Sequence, residues 1–285
     1  MSIFRAVNSA SAIIVGAMIT AQPHIKCKPG DVGQYALIPG DPARVRQIAS
    51  YFDDPREIAF NREFLTITGQ YKGIRITATS TGIGCPSAAI AIEELANIGV
   101  DTFIRVGTCG ALQKGIKSGD LIIPFAAVRA EGTTKEYIAP EFPAVATPEI
   151  FQALVLVAKK KKYRYFTGIN RTHDAFYEHM NNLLKWGEIY KDDRMKKWKY
   201  PLISSEMECS IALLLPMLRG LQSGCILAVN TPEPLKEIVQ DPGKIYKLDE
   251  SKGVRSGIDE AIKTALEAIV LLENKDMVYS NNILL

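Results

Sequence analysis

The sequence predicts one α/β domain, spanning residues 23–273, built on a mixed and mostly parallel sheet. Short apolar, β-branched runs alternate with segments of helical period, which is the order from which α/β sheets are built. Glycine and proline mark the boundaries of these runs, and neither a repeat nor a linker divides the chain. A length of 285 residues suits one large domain of this class.

The predicted elements follow one another from the start of this domain. A short strand at 35–38 leads to Asp41, which can cap a helix that has Pro42 in its first position. The glycine turn at 81–84 precedes an amphipathic helix, and Gly99 ends that helix. Further strands are predicted at 64–68, 74–79, 101–106, 121–128 and 225–229, and helices at 43–51, 86–98, 150–160, 211–218 and 258–272.

Four segments show no regular pattern. Residues 172–201 are charged and aromatic, which is typical of an inserted segment, and residues 230–252 have the length of a lid. Residues 1–22 are interpreted as a dispensable extension, with Met18 as an alternative start. A secretory signal is the other interpretation of their apolar stretch. Residues 274–285 are expected to form a frayed tail.

Composition argues against several classes of function. The net charge of +3 gives no reason to expect a nucleic-acid partner, and no apolar run is long enough to predict a membrane span. Five cysteines without a CxxC pair indicate a reducing cytoplasm and argue against disulfides or a zinc site. Three histidines without an HExxH motif give metal catalysis little support. The absence of GxGxxG after the first strand argues against a dinucleotide-binding fold.

The stretch 103–110, FIRVGTCG, carries the strongest functional signal. Its first half has the pattern of a buried strand, in which an arginine is costly unless an anion or a carboxylate meets it. Gly107 and Gly110 are expected to end the strand with backbone N–H groups turned toward a ligand, and Thr108 adds a hydroxyl. Two interpretations of Arg105 therefore remain open: a buried ion pair, and one wall of a phosphate site.

Three further segments point to the same kind of ligand. GDPAR places Gly40 at a strand end and Arg44 on the next helix, and NRE places Arg62 before a strand. Arginines that converge on glycine turns suggest a dianion, although each could also be an ordinary surface residue. In SEMEC, Glu206 and Glu208 flank a methionine before an apolar helix. A carboxylate there could accept hydrogen bonds from the vicinal hydroxyls of a ribose, or stabilise the helix N-terminus.

Together these motifs resemble the nucleoside phosphorylase family, which contains uridine phosphorylase and the hexameric purine nucleoside phosphorylases. GDPARV, NREF, STGIGCPS, FIRVGTCGAL, EGTTKEY, EFPAVA, DAFY and SEMEC occur in the family's order between residues 23 and 272. EGTTKEY with EFPAVA, and the VNT that ends the late strand, look most like uridine phosphorylases. The resemblance implies a single-domain α/β/α sandwich, and a hexamer (a trimer of dimers) whose dimers share their active sites.

The resemblance also implies residue roles. Arg105 and Glu208 would act in catalysis, and Arg62 and His24 would reach the site of the neighbouring subunit. No metal or organic cofactor is implied; inorganic phosphate is the co-substrate, and a monovalent cation could lie at the dimer interface near Glu63. The implied ligands are Gly40, Arg44, Arg62, Arg105 and Thr108 for phosphate, His24, Met207 and Glu208 for ribose, and Phe176, Cys109, Gly110 and His179 for the base.

The implied reaction is phosphorolysis of a nucleoside, most closely uridine, to free base and (deoxy)ribose 1-phosphate in cytoplasmic salvage. The base-reading residues depart from both branches of the family. Purine enzymes carry an aspartate after the late strand, where this chain has Asn230-Thr231-Pro232. Uridine enzymes carry a Gln-x-Arg pair after the DAFY-like segment, which is missing here. A purine or methylthioadenosine phosphorylase and an inactive nucleoside-binding paralogue therefore remain alternatives.

Overall fold

The computed structural model describes residues 21–176, 202–231 and 251–274, and every structural statement below concerns these residues. They form strands β1 (Tyr35–Leu37), β2 (Asp53–Asn61), β3 (Phe64–Tyr71), β4 (Ile74–Thr79), β5 (Thr102–Ala111), β6 (Leu121–Ala130), β7 (Ala144–Val145), β8 (Tyr165–His173), β9 (Leu202–Glu206) and β10 (Gln222–Thr231). The helices are α1 (Pro42–Ala49), α2 (Cys85–Asn97), α3 (Thr133–Tyr137), α4 (Pro148–Lys160), α5 (Cys209–Leu218) and α6 (Lys252–Glu273).

The strands pair into one mixed sheet of ten strands. Five of them close into a ring, because β10, β6, β8, β9 and β5 pair in that order and β5 pairs again with β10. The strands β1, β4, β3 and β2 extend the sheet outward from β5. Five strand pairings are parallel and five antiparallel. The prediction of a mixed sheet is confirmed, but a parallel majority is wrong because the β2–β3–β4 meander and the pairings β10–β6, β5–β9 and β6–β7 are antiparallel.

Helices cover this sheet on two sides. One apolar core includes Leu95 of α2 and Leu213 of α5 together with strand residues. A second core includes Ile48 of α1, Leu154 of α4 and Leu266 of α6. Each amphipathic helix thus buries its apolar stripe against the sheet, which is the main source of its stability. The predicted α/β/α architecture with a central mixed sheet is confirmed.

Helix α1 begins as its sequence predicts. The Oδ1 atom of Asp41 accepts a hydrogen bond from the backbone N–H of Ala43 at 2.8 Å, and Pro42 occupies the first position. This cap satisfies one of the backbone donors that every helix leaves unpaired at its start. It also sets the direction in which α1 carries Arg44 away from the end of β1.

Three predicted boundaries are wrong. Strand β5 does not end in a turn at Gly107, because residues 107–110 pair with β10 and Gly110 also pairs with β9. The segment predicted as irregular from residue 172 begins inside β8, and the loop predicted from residue 230 begins inside β10. The remaining parts of these segments, 177–201 and 232–250, lie outside the described residues.

The sequence pattern does not predict β2, β7, β8, β9 or α3. Strand β2 is mostly exposed, so it carries no apolar run that would reveal it. The extension at residues 1–22 and the tail at 274–285 lie almost wholly outside the described residues and stay predictions. In the part of the chain that the structure describes, no helix is long and apolar enough to cross a membrane.

Candidate active site

Arg105 of β5 lies between two carboxylates, Glu206 at the end of β9 and Glu208 at the start of α5. Its Nε atom donates to Oε2 of Glu206 at 3.0 Å, and its Nη2 atom donates to Oε2 of Glu208 at 2.5 Å. The three residues are only 4 to 7% exposed. Burial opposes the positive charge, but Glu208 and Glu206 outweigh it and raise the pKa of Arg105 above its ordinary value. The buried ion pair considered from the sequence is therefore present.

One nitrogen of this guanidinium has no hydrogen bond among the described residues. The Nη1 atom of Arg105 is buried and has no hydrogen-bond partner among the described residues. A buried donor without a partner costs about 1–3 kcal/mol, so such donors are rare outside functional sites. The ion pair holds two edges of the guanidinium and leaves the third nitrogen available to an anion.

Both carboxylate oxygens of Glu206 are fully hydrogen-bonded within the protein, so Glu206 is a structural partner of Arg105. Its Oε1 atom accepts hydrogen bonds from Asn170 Nδ2 at 2.7 Å and Thr172 Oγ1 at 2.8 Å. Its Oε2 atom accepts from Arg105 and also from the backbone N–H groups of Glu208 and Cys209, at 2.7 and 2.9 Å. The acidic side chain thus stabilises the first turn of α5, as one sequence interpretation proposed. Glu206 is recognisable in SEMEC as an acid that needs donors, but its role in orienting Arg105 is not predicted from the sequence.

Glu208 joins the arginine to a glycine turn. Its Oε1 atom accepts a hydrogen bond from the backbone N–H of Gly84 at 2.5 Å. Burial raises its pKa, Arg105 opposes this, and the nearby charge of Glu206 raises the pKa further. An ionised carboxylate has about four acceptor positions, so Glu208 retains capacity for two more donors. The hydroxyls of a sugar are donors of the required kind.

Two glycine turns meet beside this cluster. The carbonyl of Gly40 accepts from the N–H of Gly82 at 3.0 Å, and a Cβ placed on Gly40 would lie 3.1 Å from the carbonyl oxygen of Gly82. Gly82 and Gly84 have φ angles of +70° and +90°, which glycine adopts without strain. The contact brings the turn before α1 and the turn before α2 to one edge of the sheet.

Arg44 adds a second guanidinium at this edge. Its Nη1 atom donates to the carbonyl of Val106 at 3.3 Å, so it lies against the strand that carries Arg105. Burial and the positive charge of Arg105 lower the pKa of Arg44 to about 10, against the opposite effects of Asp41 and Glu208. Arg44 is still a cation at neutral pH. Glu206 and Glu208 offset part of the repulsion between the two guanidiniums, and an anion bound between them would offset more.

The residues that follow Arg105 remain in strand β5. Thr108 and Gly110 are half-buried, and Cys109 is buried at 3% exposure. A Cβ on Gly110 would meet nothing closer than 3.9 Å, so space is open above it. The expected turn with free N–H groups is wrong, because these residues are in the strand ladder.

Three further predicted ligands of the ribose and the base are Met207, Phe176 and His179. Met207 is half-buried, and its carbonyl accepts from the thiol of Cys85 at 3.3 Å. Phe176 is 42% exposed. His179, predicted at the base, lies outside the described residues. Their roles stay predictions.

His24 and Arg62 lie together at the turn between β2 and β3. The backbone N–H of His24 donates to both carboxylate oxygens of Glu94, and its ring Nδ1 lies 2.6 Å from Oε1. Asn61 Nδ2 donates to the carbonyl of His24 at 2.7 Å, which joins this segment to the β2–β3 turn. Arg62 is exposed at that turn, with φ of +54°. Within the described residues, neither side chain forms a hydrogen bond or ion pair with the Arg105 cluster.

Glu63 follows Arg62 on the same turn. Its Oε1 atom accepts from Ser87 Oγ at 2.7 Å, and its carbonyl accepts from Ser80 Oγ at 2.6 Å. The hydrogen bond from Ser87 is the main reason that the pKa of Glu63 is lowered. No group of three histidine, cysteine or acidic residues that could hold a metal ion occurs in the described ranges. The cation proposed near Glu63 is not tested by these contacts.

A buried polar network behind Glu206 is absent from the sequence predictions. It connects β8, β9 and α5 through short hydrogen bonds. A possible signal was the repetition of polar residues at alternate positions in two strand-like stretches, which places them on one face. The residues concerned are Asn170 and Thr172 of β8, Ser204 and Glu206 of β9, and Ser210 of α5.

Comparison with known proteins identifies the architecture. The Phosphorylase superfamily model matches residues 34–246. A uridine phosphorylase of Thermococcus kodakarensis is 45% identical over 90% of this chain and 88% of its own length. A guanosine phosphorylase of Halorubrum lacusprofundi is 37% identical over 88% of this chain and 99% of its own. The crystal structure of a Vibrio fischeri uridine phosphorylase is 33% identical, with a TM-score of 0.77 over 90% of this chain and 99% of that one. The resemblance noted from the motifs is confirmed, and the chain belongs to the phosphorylase superfamily.

Proposed function

We propose that this protein catalyses the phosphorolysis of a nucleoside, with uridine as the first candidate, to free base and (deoxy)ribose 1-phosphate. The observation that carries the proposal is the buried Nη1 atom of Arg105, which has no partner although two carboxylates hold the rest of the group. A second cation, Arg44, lies beside it. Similarity to uridine phosphorylases supports the substrate class. A pentosyltransferase activity is thus the function that the site supports best.

Phosphate is proposed to bind at the edge formed by Gly40, Arg44, Arg105 and Thr108. A phosphate oxygen forms a bond to the anomeric carbon while the bond from that carbon to the base nitrogen breaks. The electron pair leaves with the base, which takes up a proton. The two guanidiniums neutralise the dianion and hold it in line with the breaking bond, which supplies proximity and charge placement.

Glu208 is proposed to hold the ribose. Its carboxylate is fixed by Gly84 and Arg105 and has acceptor positions left for the 2′- and 3′-hydroxyls. Its negative charge also lies near the sugar carbon, which becomes cationic as the glycosidic bond stretches. Met207 would pack on the same sugar.

The base preference is the open part of the proposal. Phe176, Cys109, Gly110 and His179 are its predicted neighbours, and a purine nucleoside is the alternative substrate. The similarity to a guanosine phosphorylase supports that alternative. A nucleosidase has less support. Its nucleophile is water, which does not need the two guanidiniums of Arg44 and Arg105 to bind it.

The proposal includes a shared site. His24 and Arg62 lie together on an exposed surface, joined through Asn61, and are available to a neighbouring subunit. A hexamer built as a trimer of dimers would place them at the neighbour's ribose and phosphate. A monovalent cation near Glu63, a cytoplasmic location and a role in nucleoside salvage belong to the same proposal.

One experiment tests the activity. Purified protein is incubated with uridine, deoxyuridine, thymidine, inosine, guanosine, adenosine and methylthioadenosine, each with and without phosphate, and base release is followed. Phosphate-dependent release from uridine supports the proposal, and release from inosine or guanosine alone supports the purine alternative. Release that does not depend on phosphate identifies a nucleosidase, and no release from any nucleoside identifies an inactive paralogue.

The Arg105→Ala variant tests the site itself. Loss of a charge-assisted hydrogen bond is worth about 1.5–3 kcal/mol, so the KM for phosphate is expected to rise at least tenfold. An exposed arginine, Arg56, provides the matched control, because its ion pair with Asp54 lies at the outer edge of the sheet. Unchanged phosphate kinetics in Arg105→Ala would remove the assigned role.

A further inference from the structure

We infer that Asn170 is a positioning residue for Arg105 and acts on it through the carboxylate of Glu206. The inference rests on the proposed function, because it assigns Arg105 to phosphate. Asn170 lies on β8, outside every motif that the sequence singled out, and its side chain is fully buried. Among the described residues its side chain forms hydrogen bonds with Thr172, Ser204 and Glu206, none of which belongs to the predicted ligand set, so its effect passes through Glu206.

The register of two strands brings these side chains together. In the β8–β9 ladder, Asn170 is opposite Ser204 and Thr172 is opposite Glu206. Alternate residues of a strand point to the same face, so all four polar side chains lie on one side of the ladder. A register shift between Ile169 and Asn170 creates this alignment.

Hydrogen bonding fixes the orientation of the Asn170 amide. A carboxylate can only accept, so the Nδ2 group must face Glu206, and it donates to Oε1 at 2.7 Å. The opposite end of the amide, Oδ1, accepts from Ser204 Oγ at 2.8 Å. Ser204 thus holds the amide in the one orientation that supports the carboxylate.

Glu206 transmits this orientation to the arginine. Asn170 and Thr172 hold Oε1, which leaves Oε2 directed at Arg105 Nε and at the first N–H groups of α5. Because Nε and Nη2 of Arg105 are held by carboxylates, the direction of Nη1 follows from these two hydrogen bonds, and Nη1 has no hydrogen-bond partner of its own among the described residues. Loss of the Asn170 hydrogen bond frees the Glu206 carboxylate to rotate, and Nη1 rotates with it.

The test compares three variants with the wild type. Asn170→Leu keeps the approximate volume and removes the donor, and Asn170→Asp places a carboxylate against Glu206. Thr68→Val is the matched control, since it removes a buried hydrogen bond to Thr77, 2.9 Å long, in the β3–β4 hairpin away from this network. Binding of inorganic phosphate is measured by titration calorimetry, and Tm is measured for every variant.

We expect the Kd for phosphate to rise about tenfold in Asn170→Leu, which matches the loss of one charge-assisted hydrogen bond, and to rise further in Asn170→Asp. Thr68→Val should lower Tm without changing that Kd. In steady-state kinetics of Asn170→Leu, the KM for phosphate should rise more than the KM for the nucleoside. A purely structural role would change Tm and leave the Kd for phosphate alone.

The outcomes separate the two proposals. An Asn170→Leu protein that binds phosphate as tightly as the wild type overturns the role of Asn170 and leaves the proposed function intact. A wild type that binds phosphate but releases no base from any nucleoside overturns the proposed function, and the calorimetric difference still decides the role of Asn170. A wild type that binds no phosphate overturns both.

Discussion

Gly107 lies directly against the guanidinium of Arg105. A Cβ placed on Gly107 would be 2.8 Å from Nη2 of Arg105 and 3.0 Å from its Cζ atom. The two residues are two positions apart on β5, so their side-chain directions share one face of the strand. The absence of a side chain at Gly107 therefore leaves the space in which the guanidinium lies along its own strand.

Replacement of Gly107 by alanine should displace this guanidinium. The new methyl group would also meet Leu227 at 2.8 Å, so it cannot move away from Arg105 without disturbing the core. We expect the KM for phosphate to rise about tenfold or more, with a smaller change in thermal stability. Gly132→Ala is a matched control, because its Cβ would meet only Asp174 at an ordinary 3.6 Å. Equal phosphate kinetics in the two variants would contradict this account of Gly107.

Glu208 should set the acid limit of activity. Burial raises its pKa above the ordinary 4.5, and a protonated carboxyl loses acceptor capacity toward two ribose hydroxyls. The value of kcat/KM for the nucleoside should therefore fall as pH decreases through a pKa above 4.5, and activity should be present on the alkaline side.

The Glu208→Gln variant checks this assignment. Glutamine cannot titrate, so the variant should be less active and should lose the acid decline that depends on Glu208. Both proteins are compared at saturating phosphate from pH 4 to pH 8. An acid limb that persists unchanged in Glu208→Gln would assign it to another group.

A shared active site predicts complementation between two impaired variants, assayed at a phosphate concentration below their raised KM. In Arg62→Ala the missing arginine belongs to the neighbour's site, and in Arg105→Ala it belongs to the chain's own site. A hybrid dimer then contains one site with both arginines intact. Co-expression of the two variants with different tags, followed by purification through both tags, should recover activity that neither variant has alone.

The control for complementation pairs two defects that act within the same chain. Hybrids of Arg105→Ala with Glu208→Gln have a defect in every site, because each chain damages its own. These hybrids should be no more active than the two parent variants. Recovery in the control, or no recovery with Arg62→Ala, would show that Arg62 does not act across an interface.

The sequence predicted the chemistry of the site better than its geometry. The cost of burying Arg105 identifies it as a residue that needs a partner, and Glu206 and Glu208 are recognisable as acids that need donors. Their pairing depends on contacts between residues about a hundred positions apart, 101 for Glu206 and 103 for Glu208. The local sequence pattern carries no information on such contacts. The two interpretations of Arg105, a buried ion pair and one wall of a phosphate site, could therefore not be distinguished from the sequence.

The same limit explains the missed elements. Strand β2 is exposed along most of its length, so its sequence has no apolar alternation to detect. The turn expected at Gly107 was wrong because glycine also occurs in strands where another group approaches closely, here the guanidinium of Arg105. Asn170 was missed because a buried amide is recognised only by its partners. The amphipathic helices and the capped start of α1 were predictable, since their signals are local.

The cysteines should be inert in the native protein. All five are buried and none forms a disulfide. Burial raises the pKa of Cys27 to about 11 and raises the pKa of Cys85, Cys109 and Cys209 well above the ordinary 9.0. Since the thiolate is the nucleophile, reaction with a disulfide reagent at pH 8 should be slow until the chain unfolds, when five thiols should titrate.

Addition of phosphate should not change this rate unless the fold opens near Cys109, which lies two residues beyond Gly107 in the same ladder. Rapid modification of Cys109 in the native enzyme, located by peptide mapping, would mean that this strand is exposed in solution, and the rigid setting of Arg105 would then be wrong.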